Sequence, residues 1–164
     1  MSDQPVWRKA ADIQGNREFV SVRAQIGYRT RLIDPGFREI LLSPDATGAT
    51  LGEAILTAVS ASRAIRLEEA MALSAAAREQ YEFWVKEISE RYGYASRKAL
   101  FRYMRSCSVD LRPGGLTFVP TNHVRAESWS GLPQAEHVVI APASTAEEVG
   151  AALRLAFSRC VGPA

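Results

Sequence analysis

The chain has 164 residues, of which 47% are hydrophobic and 23% are charged, and its formal net charge is +2. This length fits one domain with a sizeable core, and so small a net charge indicates no general affinity for nucleic acid or membranes. The two cysteines are too few for a disulfide framework, and neither a signal peptide nor a run of roughly 20 apolar residues is present. We therefore expect one cytoplasmic domain over residues 1–164, with a loosely ordered start over 1–15.

Three strand-like segments come first along the chain. They are Glu18 to Ile26, Tyr28 to Ile33 and Glu39 to Leu42, in which apolar and polar residues alternate or β-branched residues are frequent. Gly27 and the sequence Asp34-Pro35-Gly36 separate them as turn signals. The pattern predicts an antiparallel meander that leads into a helix.

One stretch of sequence occurs twice. Residues 40–62, ILLSPDATGATLGEAILTAVSAS, align without a gap with residues 138–160, VVIAPASTAEEVGAALRLAFSRC. Each copy has a short apolar run, a proline, a polar turn and apolar residues at helical spacing. We interpret each copy as a strand–turn–helix unit.

The starts and centres of both predicted helices carry further signals. Thr47 is the expected N-cap of the first helix, and Ser144 with Glu147 or Thr145 with Glu148 forms a capping box in the second. Glycine at the same register in both helices costs each roughly 1 kcal/mol relative to alanine. The repeated glycine therefore predicts a close contact, either of a helix with the sheet or of one helix with the other.

The middle of the chain contains one long helix and a region with two interpretations. Helical spacing of apolar residues predicts a helix from Ala64 to Tyr92, with Gly93 as its stop. Residues 98–111 alternate as a strand does, although their first half also suits a helix. A turn at residues 111–116 predicts a hairpin with a strand over 116–120, and residues 121–133 are expected to form a polar loop around Trp129. The predicted fold class is α+β: a mixed, mostly antiparallel sheet packed with helices and containing two similar strand–turn–helix units.

No catalytic motif stands out. The sequence has no P-loop, nucleophile elbow, H-E-x-x-H or dinucleotide fingerprint, so no cofactor is predicted. Cys107, Cys160, His123 and His137 match none of the paired spacings of zinc sites. Cys107 lies on an apolar alternation, which indicates a buried and unreactive thiol. An enzyme that uses Cys107 or a histidine–carboxylate pair is therefore our third hypothesis.

Two surfaces could bind a partner. Arginines and aromatic residues alternate over Arg91 to Arg105, a composition that binds RNA through phosphate contacts and stacking; a small RNA-binding protein is our alternative hypothesis. The loop Asn122 to Leu132 places Trp129 among His123, Arg125 and Glu127. That tryptophan is either an interface anchor or a plug that closes the core, and the sequence leaves both open.

Several segments together resemble a known family. They are IGYRTRLIDPG (26–36), the two repeated stretches, YEFWVKEISERYGY (81–94), ALFRYMRSCSV (99–109) and WSG (129–131). In order and spacing, the chain from Ile26 to Cys160 resembles contact-dependent growth inhibition (CDI) immunity proteins of the CdiI type, with the first 25 residues outside the resemblance.

The resemblance implies a non-enzymatic protein that binds the C-terminal toxin domain of a large CdiA-type effector, commonly a nuclease. From the sequence itself we expect no membrane partner, and we favour this toxin over nucleic acid as the partner. Nucleases have basic substrate clefts, so their inhibitor needs a local acidic patch. The candidate toxin-binding residues are Asp34, Glu39, Asp110, His123, Arg125, Glu127, Trp129 and Glu136.

Overall fold

The computed structural model describes residues 7–163 and contains one eight-stranded sheet with the path β3-β2-β1-β5-β6-β7, in which β4 also pairs with β2 and β8 with β6. All pairings between the named strands are antiparallel. The strands are β1 Ala10–Gly15, β2 Val20–Gly27, β3 Arg31–Ile33, β4 Ile40–Leu42, β5 Arg105–Arg112, β6 Gly115–Arg125, β7 Ser128–Gly131 and β8 Val138–Ile140. The helices are α1 Gly48–Ala61, α2 Leu67–Tyr92, α3 Arg97–Phe101 and α4 Ala146–Arg159, with a 3-10 turn at Gln134–Glu136. The predicted α+β class is confirmed. Within residues 7–163, no helix has the length and apolar character needed to cross a membrane.

The first strand lies in the middle of the sheet. β1 pairs with β2 on one side and with β5 on the other, and Ala10, Ala11 and Ile13 are completely buried. The expectation of a loosely ordered start was therefore wrong for residues 10–15, while residues 1–6 lie outside the described part. A short strand depends on hydrogen bonds from neighbouring strands. Because one neighbour of β1, the strand β5, lies some ninety positions further along the chain, the sequence around residues 10–15 does not indicate that they are buried.

β3 and β4 share one edge of β2. Residues 25–27 of β2 pair with β3, and residues 20–22 pair with β4. The three segments form strands as predicted, but they do not form a meander, because β4 returns to β2 instead of pairing with β3. The eight-residue length of β2 provides hydrogen-bonding groups for both three-residue strands.

The repeated segments form β4–α1 and β8–α4, and the two helices pack against each other. The side chains of Thr47 and Thr145 accept hydrogen bonds from the first turns, and Thr145 with Glu148 completes a capping box. A Cβ atom built on Gly52 would lie 2.8 Å from the Ala146 Cα, and one on Gly150 would lie 2.7 Å from the Gly48 Cα. The predicted close contact is therefore confirmed, and it joins helix to helix.

The two faces of the sheet differ in chemistry. α1 and α4 cover one face through a large apolar core that includes Ile13, Val22 and Phe118. Alternate residues of each strand point to opposite faces, so the other face carries polar side chains. They are Asp12, Gln14, Ser21, Arg23, Gln25, Ser106, Ser108, Asp110 and Thr117. A second, aromatic core of α2 and α3 residues, with Trp84 and Phe101, lies beside this polar face.

The middle of the chain contains both a helix and a strand where the sequence left the two open. α2 begins at Leu67, three residues later than predicted, and ends at Gly93 with a φ of 74° in the left-handed region that favours glycine. The segment after it is helical over Arg97–Phe101 and extended from Arg105. The predicted polar loop over 121–133 was wrong in part: β6 continues to Arg125 and a bulged hairpin returns as β7.

Candidate partner-binding site

A groove lies between α2 and the segment that connects β2 to β4. Its walls come from residues 73–87 of α2 and residues 31–39, and its volume is about 440 Å³. Leu73, Ala77 and Phe83 line the helix side, and Leu32 and Phe37 line the other. We call this feature the α2 groove. It opens beside the polar face of the sheet, from which Arg23 reaches its lining.

A hydrogen-bonded network forms the inner end of the groove. The Arg23 Nη2 donates to Asp12 Oδ2 at 3.1 Å and to Gln14 Oε1 at 2.9 Å, and its guanidinium lies 4.5 Å from the centre of the Trp84 ring. The Trp84 indole donates to Glu39 Oε2 at 2.6 Å. Burial raises the pKa of Asp12, and the ion pair with Arg23 opposes that shift. The network fixes the position of Glu39 at the groove.

Asp110 lies behind the groove and is fully buried. It accepts hydrogen bonds from Arg31 Nη2 at 2.7 Å and from Arg112 Nε at 3.0 Å. The Asp110 carboxylate has no exposed surface in this structure, so it offers a partner no direct contact unless Arg31 and Arg112 move away. Its hydrogen bond holds Arg31, which lines the groove.

Three carboxylates line the groove: Asp34, Glu39 and Glu87. None of them forms a salt bridge within the described residues, whereas the groove's two arginines, Arg23 and Arg31, are each paired with an aspartate of the sheet. The sequence predicted Asp34 and Glu39, and the structure brings them together. We did not predict Glu87 from the sequence, because helical periodicity places that residue on a solvated face. Only the position of residues 31–39 makes that face a wall of the groove.

The β6–β7 hairpin holds three further candidates in structural contacts. The Tyr81 hydroxyl donates to Glu127 at 2.6 Å, and Arg97 donates to the same carboxylate at 2.7 Å while also binding Glu82. The hydrogen bonds from Arg97 lower the pKa of Glu127. The pKa of Tyr81 is raised, mainly by burial and to a lesser degree by its hydrogen bond to Glu127. His123 is buried and stacks on Trp129 at a ring distance of 4.7 Å.

Trp129 closes one end of the aromatic core. Its indole donates to the Met104 carbonyl at 3.1 Å, and its ring meets Phe101 edge-on at 5.9 Å. Of the two interpretations that the sequence left open, these contacts favour the plug. Arg125 is exposed at the tip of the same hairpin. Glu136 is exposed in the 3-10 turn, where its carbonyl accepts from Arg159 of α4, and so it belongs to the opposite side of the sheet from the groove.

The basic and aromatic segment Arg91 to Arg105 does not form a stacking platform. Phe101 is buried and Tyr92 stacks on Phe19 at 4.8 Å. Tyr103 is exposed, but the guanidiniums of Arg17 and Arg102 already lie 4.4 and 5.1 Å from its ring centre. The geometry therefore gives the RNA-binding alternative little support, because bases need free aromatic faces to stack on.

The two thiols are poorly placed for chemistry. Cys107 is completely buried, and desolvation raises its pKa well above the ordinary value; burial also raises the pKa of Cys160. A nucleophilic cysteine needs a lowered pKa and an accessible sulfur, so the hypothesis of catalysis by Cys107 has no structural support. Among residues 7–163, no three histidine, cysteine or acidic side chains are grouped so that they could hold a metal ion.

Comparisons with known proteins agree on one family. The family model described as "CdiI: CDI immunity protein" matches residues 9–160. Immunity protein CdiI-YPIII of Yersinia pseudotuberculosis serotype O:3 (strain YPIII) is 33% identical over 168 residues, which cover 93% of this chain and 95% of that protein. The match begins at residue 9, so the resemblance includes β1, contrary to the expectation that it starts at Ile26.

Two solved structures share the fold. The Neisseria meningitidis protein NMB0488, of unknown function, has a TM-score of 0.88 and 29% identity over 98% of this chain and 99% of its own. The CdiA-CT/CdiI toxin and immunity complex from Yersinia pseudotuberculosis contains a chain with a TM-score of 0.86 and 32% identity, covering 94% of this chain and 98% of that one. On the family model and the curated relative together, this chain belongs to the CdiI family of CDI immunity proteins.

Proposed function

We propose that this protein binds the C-terminal toxin domain of a CdiA-type effector in the cytoplasm and neutralises it by occlusion, without catalysis. The solved Yersinia toxin and immunity complex, one chain of which matches 94% of this protein, supports such a partner. A stoichiometric inhibitor needs a rigid body and a complementary surface, and it needs no reactive group.

We further propose that the toxin is a nuclease. The observation that carries this step is the presence of three carboxylates without salt bridges, Asp34, Glu39 and Glu87, on one groove of a protein whose total charge is +2. Enzymes that act on nucleic acids present positive charge to the phosphate backbone. A local acidic surface is complementary to such a cleft.

The proposed contact residues follow from exposure. Asp34, Glu39 and Arg125 are exposed or half-buried and are proposed as direct contacts, with Glu136 as a more distant one. His123, Glu127, Trp129 and Asp110 are proposed to act by holding the hairpin and Arg31 in place.

Co-expression tests the function. The cognate CdiA C-terminal toxin domain is induced in Escherichia coli with and without this protein, and growth and co-purification are measured. Survival with a 1:1 complex supports immunity. Continued killing, with no complex on a sizing column, would refute it.

The substrate of the toxin is tested separately. Purified toxin domain is incubated with total RNA and with DNA, with and without the immunity protein. Degradation of one of them that stops when the immunity protein is added supports a nuclease. A toxin that kills while leaving both nucleic acids intact would contradict this step and leave immunity itself unaffected.

A further inference from the structure

The α2 groove combines apolar walls with three carboxylates, Asp34, Glu39 and Glu87, among its lining residues. Its volume of about 440 Å³ lies within the range of sites that enclose a small ligand. A cavity of this size also accommodates a side chain with its neighbouring backbone. The groove therefore has the dimensions of a pocket for an anchor residue of a partner protein.

One large aromatic side chain at the groove faces solvent. Phe83 is 60% exposed although it lies on the same helix as the buried Trp84 and Val85. Exposed apolar surface beside a concavity is typical of a binding surface. Phe83 is therefore available to cover the aliphatic stem of a side chain that enters the groove.

The charges determine which side chain fits. Arg23 and Arg31 already have carboxylate partners in Asp12 and Asp110, so they offer no free positive charge. Asp34, Glu39 and Glu87 have no cationic partner within the described residues. An acidic ligand would meet like charges in the groove, whereas a basic one would meet three carboxylates. Glu39 Oε2 already accepts hydrogen bonds from Trp84 and Ser21, and Asp34 Oδ1 accepts one from the Gly36 amide, so the second oxygens of these groups and the Glu87 carboxylate face an incoming cation.

We infer that the α2 groove receives an arginine or lysine side chain of the toxin domain, a step that rests on the proposed function. The methylene stem of such a side chain packs against Leu73, Ala77 and Phe83, and its cationic head binds the carboxylates of Glu39 and Glu87. The Arg23 guanidinium already lies over the Trp84 ring, so the incoming cation binds the carboxylates and not that face of the ring.

The first test fills the groove without touching the core. Ala77 lines the groove and is exposed, so Ala77→Trp places a bulky ring in the cavity on a solvated helix position. The matched control is Ala75→Trp, which lies on the opposite side of the same helix. Calorimetric titration with the purified toxin domain is expected to show at least about 30-fold weaker binding for Ala77→Trp and no more than about twofold change for the control.

The second test changes the charge. Glu87→Lys should weaken binding by about tenfold, an effect that diminishes at high salt, whereas Glu79→Lys on the same helix outside the groove should change it much less. Circular dichroism melting of each variant confirms that it is folded.

The outcomes separate the two proposals. If the wild-type protein does not bind the toxin domain, the proposed function is wrong. If the wild type binds while Ala77→Trp and Glu87→Lys bind as tightly as their controls, the toxin docks elsewhere, and only the inference about the groove is overturned.

Discussion

The contact between α1 and α4 predicts that Gly52→Ala destabilises the protein. A Cβ atom on Gly52 would lie 2.5 Å from the carbonyl carbon of Ala146 and 2.8 Å from its Cα. Carbon atoms in contact prefer about 3.5–4.0 Å, so the helices must move apart by about 1 Å. The obstructing atoms belong to the backbone, which cannot rotate away as a flexible side chain could.

The magnitude follows from two opposing effects. Alanine gains about 1 kcal/mol over glycine from helix propensity. Overpacking of a well-packed core costs typically about 1–3 kcal/mol. We place the cost for Gly52→Ala at or above the upper end of this range, because moving the two helices apart weakens contacts along all 14 residues of each. We expect a net loss of about 2 kcal/mol, which lowers the melting temperature by about 4–8 °C in a protein of this size.

Urea denaturation monitored by circular dichroism measures this loss. Gly48→Ala is the matched control, since a Cβ atom there would lie 3.7 Å from the Glu147 carbonyl oxygen, an ordinary contact at the start of the same helix. The control should be neutral or slightly stabilising. If Gly52→Ala is as stable as Gly48→Ala, propensity outweighs the helix–helix contact, and our account of the repeated glycine is wrong.

The remaining predictions concern a buried hydroxyl, a carboxylate and a thiol. Ser62 is 1% exposed, accepts from the Ala10 amide at 2.9 Å and donates to the Gln25 carbonyl, so Ser62→Ala should cost about 2 kcal/mol in urea denaturation, against little change for the exposed Ser60→Ala. The Arg97 bonds hold the pKa of Glu127 below its ordinary 4.5; the associated stability is therefore present above pH 4.5 and is lost as the pH falls through the folded-state pKa. Glu127→Gln should accordingly show a smaller decrease in urea midpoint between pH 6 and pH 3 than the wild type, and an equal decrease would count against this ion pair. Because Cys107 is fully buried with a raised pKa, a thiol reagent should modify it in the native protein far more slowly than in urea, and rapid native labelling would contradict its burial.

Local signals predicted the helices well. Thr47 and Thr145 cap α1 and α4 as expected, because a capping hydrogen bond involves only residues within one turn. Gly93 ends α2 for an equally local reason, its left-handed φ of 74°. The tertiary contact of the repeated glycines was also predictable, since two copies of one sequence revealed the same constraint twice.

Strand pairing was much less predictable. The central position of β1 and the shared edge of β3 and β4 depend on partners distant in sequence. The hairpin that contains Trp129 looked like a polar loop, because its half-exposed strands include few of the β-branched residues that mark a buried strand. Its hydrogen bonds and its contact with Phe101 hold it extended.

The amino-acid sequence by itself determined the three longer helices, the caps of α1 and α4, the duplicated unit and the family, because each depends on neighbouring residues or on the order of segments. The tertiary structure alone decided which acidic residues meet. Asp34 and Glu39 line the α2 groove together with Glu87, while Asp110, equally acidic in the sequence, is buried and bonded to Arg31 and Arg112. The type of side chain determines the charge of a residue, but the exposure of that residue depends on how segments that lie far apart in the chain pack together.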